Sequence, residues 1–118
     1  MEMIYNKTKK KALAGEYDLA NNFFSRALGI MFRLKLERPL VFVFPITNAT
    51  SRTAIHSFFV FFPFLAVFLD EGKRVVDKAV IKPWTRWYEP RKPARYLIEC
   101  APELAKHIMV GDEIGFSG

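Results

Sequence analysis

The chain has 118 residues, 51% of them hydrophobic and 15% aromatic, and a formal net charge of +6. That length suits one globular domain over residues 1–118 with a core that needs no staples, and the composition excludes a disordered chain. The single cysteine, Cys100, excludes an internal disulfide and a cysteine-built zinc cluster, and it fits a reducing, cytoplasmic setting.

Met3 to Asn6 reads as a short first strand, with Lys7-Thr8-Lys9-Lys10 as its turn. Lys11 to Leu19 reads as a second strand interrupted by Gly15, with Leu13, Tyr17 and Leu19 at inward offsets. Asn21-Asn22 offers an N-cap to a short helix over Phe23–Leu28, which Gly29 ends. Leu40 to Phe44 is a buried strand bounded by Pro39 and Pro45, which cannot donate to a ladder, and Ile46 to Thr53 is a polar loop.

The run Phe58–Leu69 is twelve residues without a polar side chain and holds six of the chain's twelve Phe. It is too short for a membrane span of about 20 residues, and Pro63 divides it. It therefore predicts a core strand, Ala54–Phe62 and Phe64–Leu69 with a bend between. Both faces are apolar, so the strand is expected either to be covered twice, by the opposite sheet and by a helix such as Phe23–Leu28, or to meet a second copy on one face, with Phe61 and Leu65 under a helix or at that self-contact. Phe64–Leu69 and Arg74–Ile81 form a hairpin across Glu71-Gly72, where Gly72 is the expected source of a positive φ.

Lys82 to Pro93 holds three prolines, three aromatics and four cations, which argues for a loop. Ala94 to Cys100 resumes as a strand, Pro102 opens a helix to about His107, Gly111-Asp112 turns, and Glu113–Phe116 closes as a strand. Many short strands with close turn signals predict a mainly β fold, a β-rich α+β sandwich or barrel with two short helices.

Leu28-Gly29-Ile30-Met31-Phe32-Arg33 resembles the signature of the family catalogued as domain of unknown function 192. Leu40–Phe44, His56-Ser57-Phe58-Phe59, Pro63 through Asp70, Pro93–Glu99 and Val110–Ile114 follow in that family's order, so the resemblance covers roughly residues 10 to 116. It implies a small, mainly β sandwich or barrel and no particular reaction, because the family has no established activity. Two departures stand out. Phe59-Val60-Phe61-Phe62 replaces a longer Trp-Met-Lys-Asn-Thr, and Leu65 stands where relatives tend to carry Asp.

The residues offer little catalytic chemistry. His56 and His107 are far apart and lack metal-ligand spacing, so no metal and no cofactor is expected. Ser57 beside His56 would point to the opposite strand face, and Cys100 reads as a core thiol. His107, in the last turn of a short helix, suits the negative helix end.

Basic residues concentrate in two zones, Lys7–Arg38 and Lys73–Arg95, with eight in each. The second zone also holds Trp84, Trp87 and Tyr88, with Arg86 and Arg95 among its cations. Together with Arg33 and His56 these are the candidate binding residues. The leading reading is a non-enzymatic domain that binds a small ligand or a protein near the Lys82–Arg95 loop. A nucleic-acid-associated protein using the same loop is the alternative, and a small hydrolase comes third. A homodimer through the Phe61/Leu65 face is the expected self-association.

Overall fold

The computed structural model of the chain describes residues 3–20, 36 and 38–116. The expected helix over Phe23–Leu28 and the candidate Arg33 lie outside the described residues.

Among the described residues, eight strands form two sheets: β1 (Ile4–Asn6), β2 (Lys11–Ala14), β3 (Asp18–Ala20), β4 (Leu40–Val43), β5 (Phe64–Leu69), β6 (Val75–Ile81), β7 (Tyr96–Cys100) and β8 (Ile114–Gly115). The smaller sheet has the order β2-β1-β8, and the larger has β3-β4-β7-β5-β6. Pairing is antiparallel except between β3 and β4, which run parallel. The fold is mainly β, as its sequence predicts.

Strand β5 is central to both hydrophobic layers. Its alternation sends Leu65, Val67 and Leu69 to one face, where Ile4 and Ile114 of the smaller sheet cover them with Leu104, Ala105 and Ile108. Phe64, Ala66 and Phe68 face the other way, toward Val60, Ala94, Ile55 and Tyr88 from two loops. All six side chains are buried, and each large one contributes about 1.5–3 kcal/mol by leaving water.

The double cover predicted for the Phe-rich run is present, with a different partition. Leu65 is 1% exposed in the first layer, whereas Phe61 is 53% exposed on a loop. The two do not share a face, so the expected self-contact through both is corrected. Ala54–Phe62 is not a strand either. The Ser57 carbonyl accepts from Val60 N at 3.1 Å and Trp84 N at 2.9 Å, which turns the chain back, and Phe59 sits at φ 61°.

Other boundaries differ for local reasons. Lys11–Leu19 divides near Gly15 into β2 and β3, which belong to different sheets, and Leu19 is exposed while Tyr17 is buried. Within the expected loop Ile46–Thr53, residues Thr50–Thr53 form a 3-10 helix. In the β5–β6 hairpin the positive φ falls on Lys73, at 62°, rather than on Gly72. Lys73 Nζ donates to the Phe116 carbonyl at 3.0 Å and lies 4.3 Å from the Phe116 ring centroid, which favours lysine there over glycine.

Pro102–His107 is a 3-10 helix with Pro at its start, and Lys78 Nζ donates to the Ala105 and Ile108 carbonyls at its end. His107 lies in the last turn of that helix, as expected, but its surroundings work against the charged form there. Burial first, then Lys11 and Lys106, lower its pKa.

Cys100 is buried in β7, and burial first, then the neighbouring Glu99, pushes its thiol up to about 12. A thiol-specific reagent at neutral pH is therefore expected to leave the folded protein unmodified and to label it stoichiometrically in denaturant. Rapid labelling of the native state, followed by absorbance, would contradict this burial.

Candidate binding site

Ser57 organises the end of the larger sheet near Phe64 and Ile81. Its hydroxyl is buried and donates to the Lys82 carbonyl at 2.6 Å while accepting from Thr85 N at 2.6 Å. Its backbone N–H donates to the Thr85 carbonyl at 2.9 Å. One serine thus ties the 57–62 turn to the 82–85 turn through side chain and backbone together.

The two turns present aromatic rings to each other. Trp84 lies 4.9 Å from Phe59, 6.2 Å from Phe61 and 6.4 Å from Phe58 between ring centroids, all edge to face. His56 packs on Phe58 at 5.0 Å, and its Nδ1 accepts from Phe58 N at 3.2 Å. Phe59, Phe61 and Trp84 remain 41%, 53% and 48% exposed. Water thus meets an aromatic ledge at a place where a folded chain usually shows polar side chains.

The ledge is also strained. Phe59 and Trp84 both have φ 61°, the left-handed region that bulky residues rarely occupy. Each costs on the order of 1 kcal/mol, and partial burial of these rings is a modest return. Glycine or asparagine would fit both backbones more easily.

The remaining loop residues divide into anchors and exposed groups. The Tyr88 ring stacks on Phe68 at 5.8 Å, and its hydroxyl donates to buried Asp77 at 2.7 Å. Burial first, then the hydrogen bond to Asp77, raises its pKa to about 12. Its ring and hydroxyl are therefore both engaged inside the fold, where they hold the loop down. Trp87 is 60% exposed, with Nε1 donating to Glu89 Oε1 at 3.2 Å. Arg86 is exposed beside it.

Arg95 belongs to another region. It lies at the Leu69 end of β5, with its N–H on the Leu69 carbonyl at 2.7 Å and its guanidinium on the Phe44 carbonyl. There it lines a groove of about 420 Å³ with Asp70, Glu71, Lys92 and Asn48. His56 and Trp84 thus fall on the ledge, with Arg86 and Trp87 exposed on its loop, while Tyr88 turns inward from that loop and Arg95 lies elsewhere.

Two nucleophile candidates are structurally engaged. Ser57 spends its hydroxyl on Lys82 and Thr85, and Cys100 is sealed in the core. Among the described residues, no three of His, Cys, Asp and Glu are grouped to hold a metal ion. No helix among them is long and apolar enough to cross a membrane.

Sequence reasoning weighed Ser57 only as a nucleophile and Phe61 only as a self-contact, and it did not place Phe59 on this ledge. A signal for the aromatics existed in Pro63, after which β5 begins and before which Phe58–Phe62 stands outside any strand. The role of Ser57 depends on backbone 25 and 28 residues away and left no local mark.

Two packed β-sheets with short connections and a loop-borne ledge define a small β domain. Its overall arrangement is shared with solved structures. A protein of unknown function from Novosphingobium aromaticivorans superposes with a TM-score of 0.82 at 20% identity, covering 98% of this chain and 84% of that one. A putative transcription regulator from Sinorhizobium meliloti superposes at 0.80 with 15% identity, covering 98% and 91%. At these identities the likeness concerns the fold.

The chain belongs to the family catalogued as domain of unknown function 192, described as an uncharacterized ACR, which matches residues 4–116. A UPF0127 protein of Pyrococcus horikoshii is 40% identical over 114 residues, covering 95% of this chain and 96% of that protein. A UPF0127 protein of Thermococcus kodakarensis is 38% identical over 117 residues, covering 98% and 73%. The resemblance read from the motifs is thereby shown.

Proposed function

We propose that this is a non-enzymatic, cytoplasmic single-domain binding protein whose site is the aromatic ledge of Phe59, Phe61 and Trp84, with His56 and Trp87 at its margins. The observation that carries the reading is the pair of left-handed aromatic residues, exposed and held in contact by buried Ser57. A strained conformation that leaves apolar surface in water disfavours the free protein, and an occupant that covers the rings offsets that cost. The engagement of Ser57 and Cys100 supports binding over a nucleophilic reaction.

The test is a nuclear magnetic resonance titration with single-ring and fused-ring aromatic fragments such as indole and adenosine. Amide shifts are expected to concentrate at residues 56–61 and 82–88. In Trp84→Ala they are expected to vanish, while the thermal midpoint stays within a few degrees because the ring is half exposed. Shifts confined to the groove around Asp70 and Arg95, or unchanged in Trp84→Ala, would overturn the assignment.

A further inference from the structure

The chemistry around the ledge selects among occupants. From Lys82 to Arg95 the chain carries five cations and one carboxylate, Glu89. That carboxylate is engaged, accepting from Trp87 Nε1 at 3.2 Å and from the Thr50 hydroxyl. Arg91 reaches buried Asp77 with Nε at 3.7 Å, and Arg95 is held on Phe44 at the far end of β5.

Lys82, Arg86 and Lys92 differ. Their side chains are exposed and make no ion pair or hydrogen bond with a described residue. Lys82 and Arg86 flank Trp84 two residues away on either side, and Arg86 also adjoins Trp87. Uncompensated cations beside exposed, upright rings form a surface that recognises a partner with alternating aromatic faces and negative charges.

Building on the binding reading above, we propose that the ledge and its loop bind single-stranded nucleic acid. Bases stack on Trp84, Phe59 and Trp87, and the side chains of Lys82 and Arg86 contact the phosphates between them. The rings are carried on turns rather than on a helix or ribbon shaped to enter a groove, so stacking on unpaired bases is the mode they serve. Fixed ring positions lower the ordering cost on binding, and Ser57 and Glu89 provide that fixation for Trp84 and Trp87.

Fluorescence anisotropy with a labelled mixed-sequence single-stranded RNA, its DNA counterpart and the matched duplex tests the proposal. Single strands are expected to bind at low salt in preference to duplex. Trp84→Ala and Trp87→Ala are each expected to weaken binding about tenfold. Lys82→Gln with Arg86→Gln is expected to flatten the salt dependence, the log–log slope falling by about 0.7 for each phosphate that is no longer neutralised. Circular dichroism of each variant confirms that the fold is retained, and Trp84→Phe is expected to recover part of the affinity.

Equal binding of duplex, indifference to both tryptophan substitutions, or no binding at low salt would overturn the proposal. If aromatic fragments still map to the ledge while the strands do not bind, the inference falls and the binding reading stands. Preferential binding of an acidic peptide containing Phe and Trp would have the same consequence. If neither fragments nor strands touch the ledge, both fall together.

Discussion

Replacing Phe68 by alanine is expected to destabilise the protein by about 3–5 kcal/mol, the usual cost of truncating a buried phenylalanine. Phe68 is fully buried in the second hydrophobic layer and lies between β7 and β6, opposite Leu97 and Asp77. Its ring also carries Tyr88 at an interplanar angle of 24°. Removing it leaves a cavity and at the same time withdraws the floor on which the 82–93 loop rests. Urea unfolding should show a lower midpoint, and tryptophan emission should shift before the main transition because the loop is freed first. Tyr88→Phe leaves that stacking in place and tests the other anchor of the loop, since it deprives buried Asp77 of a donor, at about 1–3 kcal/mol. A loss below about 1 kcal/mol for Phe68→Ala would mean that this layer does not support the fold as its packing implies.

The second large effect is expected at Asp112→Asn. Burial alone would raise the Asp112 pKa, but hydrogen bonds from Asn6 Nδ2, Met109 N and Lys9, together with the Lys9 charge, outweigh it and leave the value below the usual range. Asn6 is fully buried and uses its whole amide. Nδ2 donates to Asp112 Oδ2 at 2.8 Å and to the His107 carbonyl at 2.9 Å, while Oδ1 accepts from Lys9 N at 3.1 Å. The node joins β1, the β1–β2 turn, the end of the 3-10 helix and the turn before β8. An amide at position 112 keeps the shape, loses the charge and brings an N–H₂ against existing donors, for about 2–3 kcal/mol at neutral pH.

A lowered folded-state pKa contributes stability that is complete above the unfolded value, near pH 4, and disappears as pH falls through the lower folded value. The native protein should therefore lose stability below about pH 4 more steeply than Asp112→Asn, and the two should converge in acid. Parallel curves across that range, measured by urea unfolding at stepped pH, would show that Asp112 is not the group responsible.

The architecture was legible wherever a residue's environment is set by its own alternation. Phe64–Leu69 announces a strand covered twice because both of its faces are apolar. The Asp70–Lys73 turn announces a hairpin, although which of its residues takes the positive φ was decided by the Phe116 carbonyl and ring that Lys73 reaches. Phe58–Phe62 misled because composition alone does not separate a strand from a tight aromatic turn. The deciding groups are a buried hydroxyl and the backbone of residues 82–85.

The site was legible in part. The 82–95 loop announced its cations and tryptophans, but not the sorting that sends Tyr88 inward to Asp77 and Arg95 to the opposite end of β5. Both assignments depend on partners distant in sequence, which no local pattern encodes. The family resemblance pointed to the fold and, through Leu65, to a polar feature replaced by core.

The strand order β4-β7-β5 has a consequence for synthesis. As the chain leaves the ribosome, β4, β5 and β6 emerge well before β7, yet β4 and β5 cannot join until β7 slides between them. Until then the β5–β6 hairpin carries its Phe-rich faces and one unpaired edge into solvent, a state prone to pairing with other chains. Final assembly must await Tyr96–Cys100, so the sheet closes from its middle and late. A synonymous change that slows translation just after Cys100 has been exposed should therefore raise soluble yield, whereas a pause that strands the hairpin alone should lower it.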